Sequence, residues 1–82
     1  MPRYFFHVMD GRAFVDAEGT ELAGLDEVRS EAIRAAGEIL ADNGKAFWKG
    51  TAWQMTVADA AGDTVLTLRF SADDHARSAT LP

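Results

Sequence analysis

A chain of 82 residues without cysteine is one domain's worth of protein, and neither a disulfide nor a thiolate metal site is available to staple it. Thirteen acidic against eight basic residues, net charge −5, leave no basic face for displacing counterions from phosphates, which disfavours DNA, RNA and anionic membranes as partners. So short a chain buries only about 60–65% of the surface its unfolded form exposes, so a packed core and self-association are its remaining stabilising devices.

Residues 3–9, RYFFHVM, are aromatic and β-favouring. Period-2 alternation sets Tyr4, Phe6 and Val8 on one face and Phe5, His7 and Met9 on the other. Asp10-Gly11 reads as a two-residue hairpin turn, since both positions tolerate positive φ, with a return strand over about 12–16. The following AEGTELAG, punctuated by Gly19 and Gly24, reads as a loop or a short irregular strand.

From Leu25 the period lengthens, and a helix over about 25–42 is predicted. Leu25, Val28, Ala32, Ala36, Ile39 and Leu40 share its apolar stripe, Ile33 lies at the edge, and Glu27, Ser30, Glu31, Arg34 and Glu38 fall mostly opposite. Arg29 lies within the stripe by angle and is expected to snorkel past the sheet edge. Gly24 is a plausible N-cap, with Asp26 and Glu27 complementing the dipole. Asn43-Gly44 is a C-terminal stop, with the glycine expected in the left-handed conformation. Gly37 weakens the middle by roughly 1 kcal/mol relative to alanine.

Residues 45–51, KAFWKGT, form an unusually aromatic connector. WQMTVAD alternates again, with Trp53, Met55 and Val57 on one face. DAAGD fits a type I turn, Asp59 first and Gly62 fourth. TVLTLRF returns with Leu66, Leu68 and Phe70 inward. From Ser71 periodicity is lost, so 71–82 is expected to be a disordered tail beyond a single domain of residues 1–70.

Hairpin, helix, hairpin predicts an α+β fold: a mainly antiparallel β-β-α-β-β sheet with the helix packed on one face. The second face, with Phe5, His7, Thr56 and Thr67, is too apolar to be comfortably solvated and too polar for a second core. The apolar run after Arg3 is too short for a secretory signal and is broken by Asp10, and no stretch is long enough to span a bilayer. A soluble cytoplasmic protein is the expectation.

MPRYFFHVMDG, then DAEGTEL, then EVRSEAIRAA in the helix and a closing VADAAGDTVLTLRF together resemble a short bacterial domain-of-unknown-function family, commonly alphaproteobacterial, over essentially residues 1–70. Members open with nearly the same heptapeptide and an Asp-Gly turn, and the opening is the specific part. The resemblance implies no established activity, cofactor or catalytic residue. Gly24, where an Asp-like cap is expected, and the aromatic KAFWKG connector depart from the pattern. A more distant likeness is to HicB-type antitoxins, which usually add a DNA-binding segment after the sheet; here the chain ends without one.

His7, with Asp10 or Asp16 across the hairpin, could serve as acid, base or ligand, but a working base needs an orienting partner and a pocket. The competing reading is a histidine stacked on its neighbours on the less buried sheet face. Asp16, Glu18 and Glu21 could offer hard oxygens to Ca²⁺ or Mg²⁺, yet lack the regular spacing of an EF-hand loop, and a solvated turn with Gly19 at positive φ explains the same letters. Asp73, Asp74 and His75 sit in the predicted tail, where binding would cost ordering entropy. No serine has a nucleophile-elbow context, and no Gly-Lys-Ser/Thr follows Gly11, Gly19 or Gly24. Phe47, Trp48 and Trp53 beside Lys45 and Lys49 have the composition of an interface hot spot, against the reading in which Trp53 caps the core and Phe47 closes the helix end.

The expectation is therefore a non-enzymatic protein-interaction module without cofactor or metal. It would be a homodimer or would dock on a partner protein, with Phe5, His7, Phe47 and Trp48 as candidate contacts. An antitoxin-like or regulatory inhibitor of a neighbouring protein is the alternative, its acidity suiting a basic partner. A small-ligand or enzymatic domain ranks third.

Overall fold

The computed structural model of the chain describes residues 1–44 and 52–72, and the statements below concern those residues. In chain order the elements are β1 (Arg3–Met9), β2 (Ala13–Phe14), β3 (Thr20–Glu21), α1 (Leu25–Asp42), β4 (Trp53–Ala58) and β5 (Thr64–Phe70). The strands form one antiparallel sheet in the order β2-β1-β4-β5, with β3 also paired to β1. The α+β architecture is as the periodicity predicts, with one strand more than two hairpins would supply.

β1 is the centre of that sheet because it is paired along both edges. One edge runs beside β4, from Phe5 opposite Ala58 to Met9 opposite Gln54. The other is shared: β2 pairs with Val8 and Met9, and β3 pairs with Arg3 and Tyr4. The return strand is thus two residues long rather than the five of RAFVD. The Asp-Gly connection also differs from a two-residue turn. Met9 pairs with Ala13, leaving Asp10, Gly11 and Arg12 as the loop, with Gly11 at φ 93°. The second hairpin follows its expected chemistry. The Gly62 N–H donates to the Asp59 carbonyl at 3.0 Å, and Gly62 takes φ 90°. The Asp59 carboxylate accepts the N–H groups of Ala61 and Asp63.

α1 lies on the sheet face that carries Tyr4, Trp53, Met55 and Val57. Its contact line is Val28, Ala32 and Ala36, spaced by four and fully or nearly fully buried. Two alanines in that line let the helix backbone approach the large side chains of β4. Phe6, Val8, Ile39, Leu40, Leu66 and Leu68 pack around this centre half-buried. Met55, Val28 and Val57 are the largest fully buried side chains, each contributing about 1.5–3 kcal/mol by burial. The stripe is narrower than its angular spread suggests. Leu25 and Ile33 stay 44% and 65% exposed, Leu25 at the first position of the helix and Ile33 at the edge of the stripe. Arg29 faces outward and pairs with Asp26 instead of snorkelling.

Both helix ends lack a standard cap. Gly24 is extended at the N-cap and offers only its carbonyl, which accepts the Val28 N–H. At the other end Asn43, not a left-handed Gly44, closes the helix: its backbone N–H and its Nδ2 both donate to the Ile39 carbonyl. Outward, Arg34 bridges Glu31 and Glu38, each about one turn from it. Such exposed pairs, screened by solvent, contribute little to stability. No helix among the described residues is long and apolar enough to cross a membrane.

Gly37 sits inside α1, and a Cβ built on it meets nothing within 4 Å. No packing requires the glycine there. Gly37→Ala is expected to stabilise the domain by about 1 kcal/mol, read as a higher denaturation midpoint at unchanged slope.

Candidate functional site

The outer edge of β1 between β2 and β3 is closed by a side chain. Phe6 donates its N–H to Asp16 Oδ2 at 3.1 Å, where a continuing strand would have supplied a carbonyl. The other oxygen, Oδ1, accepts the N–H groups of Glu18 and Gly19 at 3.1 and 3.0 Å. This is an Asx-type turn that also reaches across to the neighbouring strand. The Asp16 N–H in turn donates to His7 Nδ1 at 3.1 Å. A ring nitrogen accepts only without a proton, so this bond selects the neutral imidazole with its hydrogen on Nε2.

Gly19 holds the turn at φ 73°. An added Cβ would lie 2.8 Å from Phe5 Cε2, 2.8 Å from Arg3 Cγ and 2.9 Å from the Tyr4 carbonyl oxygen. Conformation and space both demand glycine. Arg3 seals the same loop from outside, donating to the Glu18 and Gly19 carbonyls and pairing with Glu21 at 3.1 Å. The Leu22 N–H then donates to the Pro2 carbonyl. From Pro2 to Met9 this edge is thus partnered by β3, Asp16 and β2 in turn.

Partial burial pushes the Asp16 carboxyl up. The N–H donors from Gly19, Phe6 and Glu18, with the charge of His7 when present, outweigh it and hold the group below the ordinary carboxylate value. The acidic trio does not converge. Asp16 spends both oxygens on backbone N–H groups, and Glu21 faces Arg3. Among the described residues no group of three or more His, Cys, Asp or Glu side chains is placed to hold a metal ion.

The second sheet face carries the other candidates. Phe5 stands opposite Ala58; His7, Thr56 and Thr67 form a row across three strands; Met9, Gln54 and Arg69 form the next. No described element covers this face. Ala58 is buried, Phe5, His7, Thr56 and Thr67 are half-buried, and Met9 is exposed. Phe5 and His7 therefore share one surface, with the Phe5 ring also packed over Gly19. Phe47 and Trp48 lie outside the described residues, as do Asp73, Asp74 and His75. Trp53 is in the core at 3% exposed, its Nε1 buried without a hydrogen-bond partner among the described residues. An apolar depression of about 330 Å³ beside it is lined by Ile33, Gly37, Leu40 and Phe70 among others.

The residue that sequence reasoning undervalued is Asp16, read as a cation ligand or a solvated turn. Its signal was Asp followed three residues later by Gly, the local half of the arrangement. The other half, the reach to Phe6, depends on the fold.

Asp16→Asn keeps an acceptor for Glu18 and Gly19 but turns an NH₂ toward the Phe6 N–H, an expected loss of about 1–3 kcal/mol. Because the folded-state value is depressed, the carboxylate's contribution is present above the ordinary value of 3.8 and is lost as pH falls through the folded value. The stability gap between wild type and Asp16→Asn should therefore narrow below about pH 4 in denaturation curves taken across pH. Gly19→Ala, with backbone strain and a carbonyl in its way, should cost about 2–3 kcal/mol in the same assay.

Residues 3–71 match the family described as a domain of unknown function, DUF6894, and the chain belongs to that family. No curated protein and no solved structure matches it.

Proposed function

We propose that this DUF6894 domain is a non-enzymatic protein-interaction module that buries its open sheet face against another protein. The observation that carries this reading is that α1 covers one face of the sheet only. The opposite face presents Phe5, His7, Met9, Thr56 and Thr67 as one continuous surface. It is apolar or neutral-polar, with Arg69 at its rim, so little charge would be desolvated on contact. Depletion of charge at the centre is what distinguishes interface cores from ordinary surface.

The state of His7 supports the non-enzymatic reading. Its Nδ1 is occupied by the Asp16 N–H, and its nearest carboxylate is committed to backbone donors. A general base oriented for catalysis would have its second nitrogen held by an acceptor and its working nitrogen facing a pocket. The net charge of −5 favours a basic protein as the docking partner, as would suit an inhibitor of a neighbouring protein. On the family resemblance, we infer a bacterial cytoplasmic setting.

Met9 and Gln54 oppose each other on this face. The pair Met9→Lys/Gln54→Glu places two opposite charges there, keeps a favourable cross-strand contact and leaves net charge unchanged. Affinity capture from native lysate, with wild type and this variant matched for circular dichroism and denaturation midpoint, tests the proposal. The expected result is a stoichiometric protein retained by wild type and lost by the variant. Identical capture by both, or neither a partner nor self-association, would overturn it.

A further inference from the structure

We propose that the apolar groove between α1 and the end of the sheet where β4 begins and β5 ends binds a neutral two-ring aromatic molecule, whose single hydrogen-bond acceptor meets the Trp53 indole N–H. The groove lies on the helix side of the sheet, so this site is separate from the open face and does not depend on it.

Two elements build the groove. Ile33, Gly37 and Leu40 follow one another at helical spacing along one side of α1, and Trp53, Leu68 and Phe70 face them from the sheet. Trp53 stands opposite Phe70 across the strand pair, and Met55 opposite Leu68, so these sheet residues share the helix-side face. The floor is buried at Ala36 and Trp53, while Ile33 and Phe70 are exposed at the rim. Arg69 is the one charged residue that borders the groove, and strand alternation assigns its side chain to the opposite face. The walls therefore offer no charge to an ion, which selects a neutral ligand. An apolar cavity of about 150 Å³ holds one benzene ring. At about 330 Å³ this groove suits a molecule roughly twice that size. Two aromatic walls, Trp53 and Phe70, favour a flat ring system that can stack or meet them edge-on.

Two features of the groove have no use in the fold itself. The first is Gly37. A glycine inside a helix lowers stability relative to alanine, and no packing repays it here, since an added Cβ meets nothing within 4 Å. What the glycine supplies is space: it cuts the helix wall of the groove back to the backbone. The second is Trp53 Nε1. Among the described residues it is the one buried side-chain nitrogen or oxygen without a hydrogen-bond partner, and it belongs to a residue of the groove wall. A buried donor left unpaired is costly, and an acceptor brought by a ligand would meet little competition from water there. Missing volume in the helix and a missing acceptor on the sheet thus call for the same occupant.

The test titrates quinoline, and naphthalene as the same shape without an acceptor, into isotope-labelled protein. The readout is the Trp53 indole N–H signal in NMR correlation spectra. The chain has two tryptophans, so Trp48→Phe identifies that signal. Quinoline is expected to bind saturably and to set the indole N–H downfield of its position with naphthalene. Naphthalene should bind about tenfold more weakly, having no acceptor to offer. Affinity for quinoline should fall in the order glycine, alanine, leucine at position 37, with Gly37→Leu weaker by about tenfold or more because its side chain occupies the groove. Denaturation midpoints of Gly37→Ala and Gly37→Leu no lower than that of wild type show that the fold is intact. No saturable change at millimolar quinoline, naphthalene binding as tightly as quinoline, or undiminished binding by Gly37→Leu would overturn the site. None of these outcomes bears on capture through the open face, which these variants leave untouched.

Discussion

The Asp16 carboxylate, accepting N–H groups from Phe6, Glu18 and Gly19, stands where a strand would otherwise run. Three donors on one anion are a strong local constraint, because hydrogen bonds to a charged acceptor are roughly twice as strong as neutral ones. Much follows from it. β2 stops at Phe14, the chain bends back over β1, and Thr20 and Glu21 arrive beside Arg3 and Tyr4 as a separate strand. The bend is so close that the Phe5 ring and the Tyr4 carbonyl leave no room for a Cβ at Gly19. Through its own N–H, Asp16 also fixes the ring of His7. The opening aromatic segment and the DAEGTEL segment are thus two halves of one contact.

What could be read in advance were features that depend on neighbours in the chain. The 2.0 period assigned Tyr4, Phe6, Val8, Trp53, Met55 and Val57 to one face, and the structure packs them around one core. The longer period located α1, and the Asp59–Gly62 turn follows from its own residues. What could not be read depended on distant parts. β3 exists because β1 offers it an edge. The fully buried helix line is confined to Val28, Ala32 and Ala36, with Ile39 and Leu40 only half-buried beside it, which no helical wheel records. Of the candidate contacts, alternation alone placed Phe5 and His7 on a common face, whereas the bond between His7 and Asp16 needed the chain reversal.

The sheet is strongly asymmetric in consequence. Along β1 the hydrogen-bonding groups are met by short strands, a carboxylate and the Leu22 N–H. Across the faces the same contrast appears: one is sealed by α1, and the other stays half-open, with Arg69 at its rim. The Trp53 indole N–H is buried with no hydrogen-bond partner among the described residues, inside an otherwise apolar core. A domain of this size has little stability in reserve, so the hydrogen-bond economy of its N-terminal edge matters out of proportion to its length.

The central pairing of the sheet, Phe5 with Ala58, joins segments from opposite ends of the fold. Contacts of that kind are late and slow, because loop-closure entropy must be met before they reward the chain. The turn around Asp16 and the helix, by contrast, can form locally. During synthesis the N-terminal strand therefore emerges early and waits, with its aromatic face and the Val28–Ala36 line uncovered, until β4 has been made. For that interval the nascent chain is a sticky, half-built object, exposed to the same hazards that call chaperones to larger proteins.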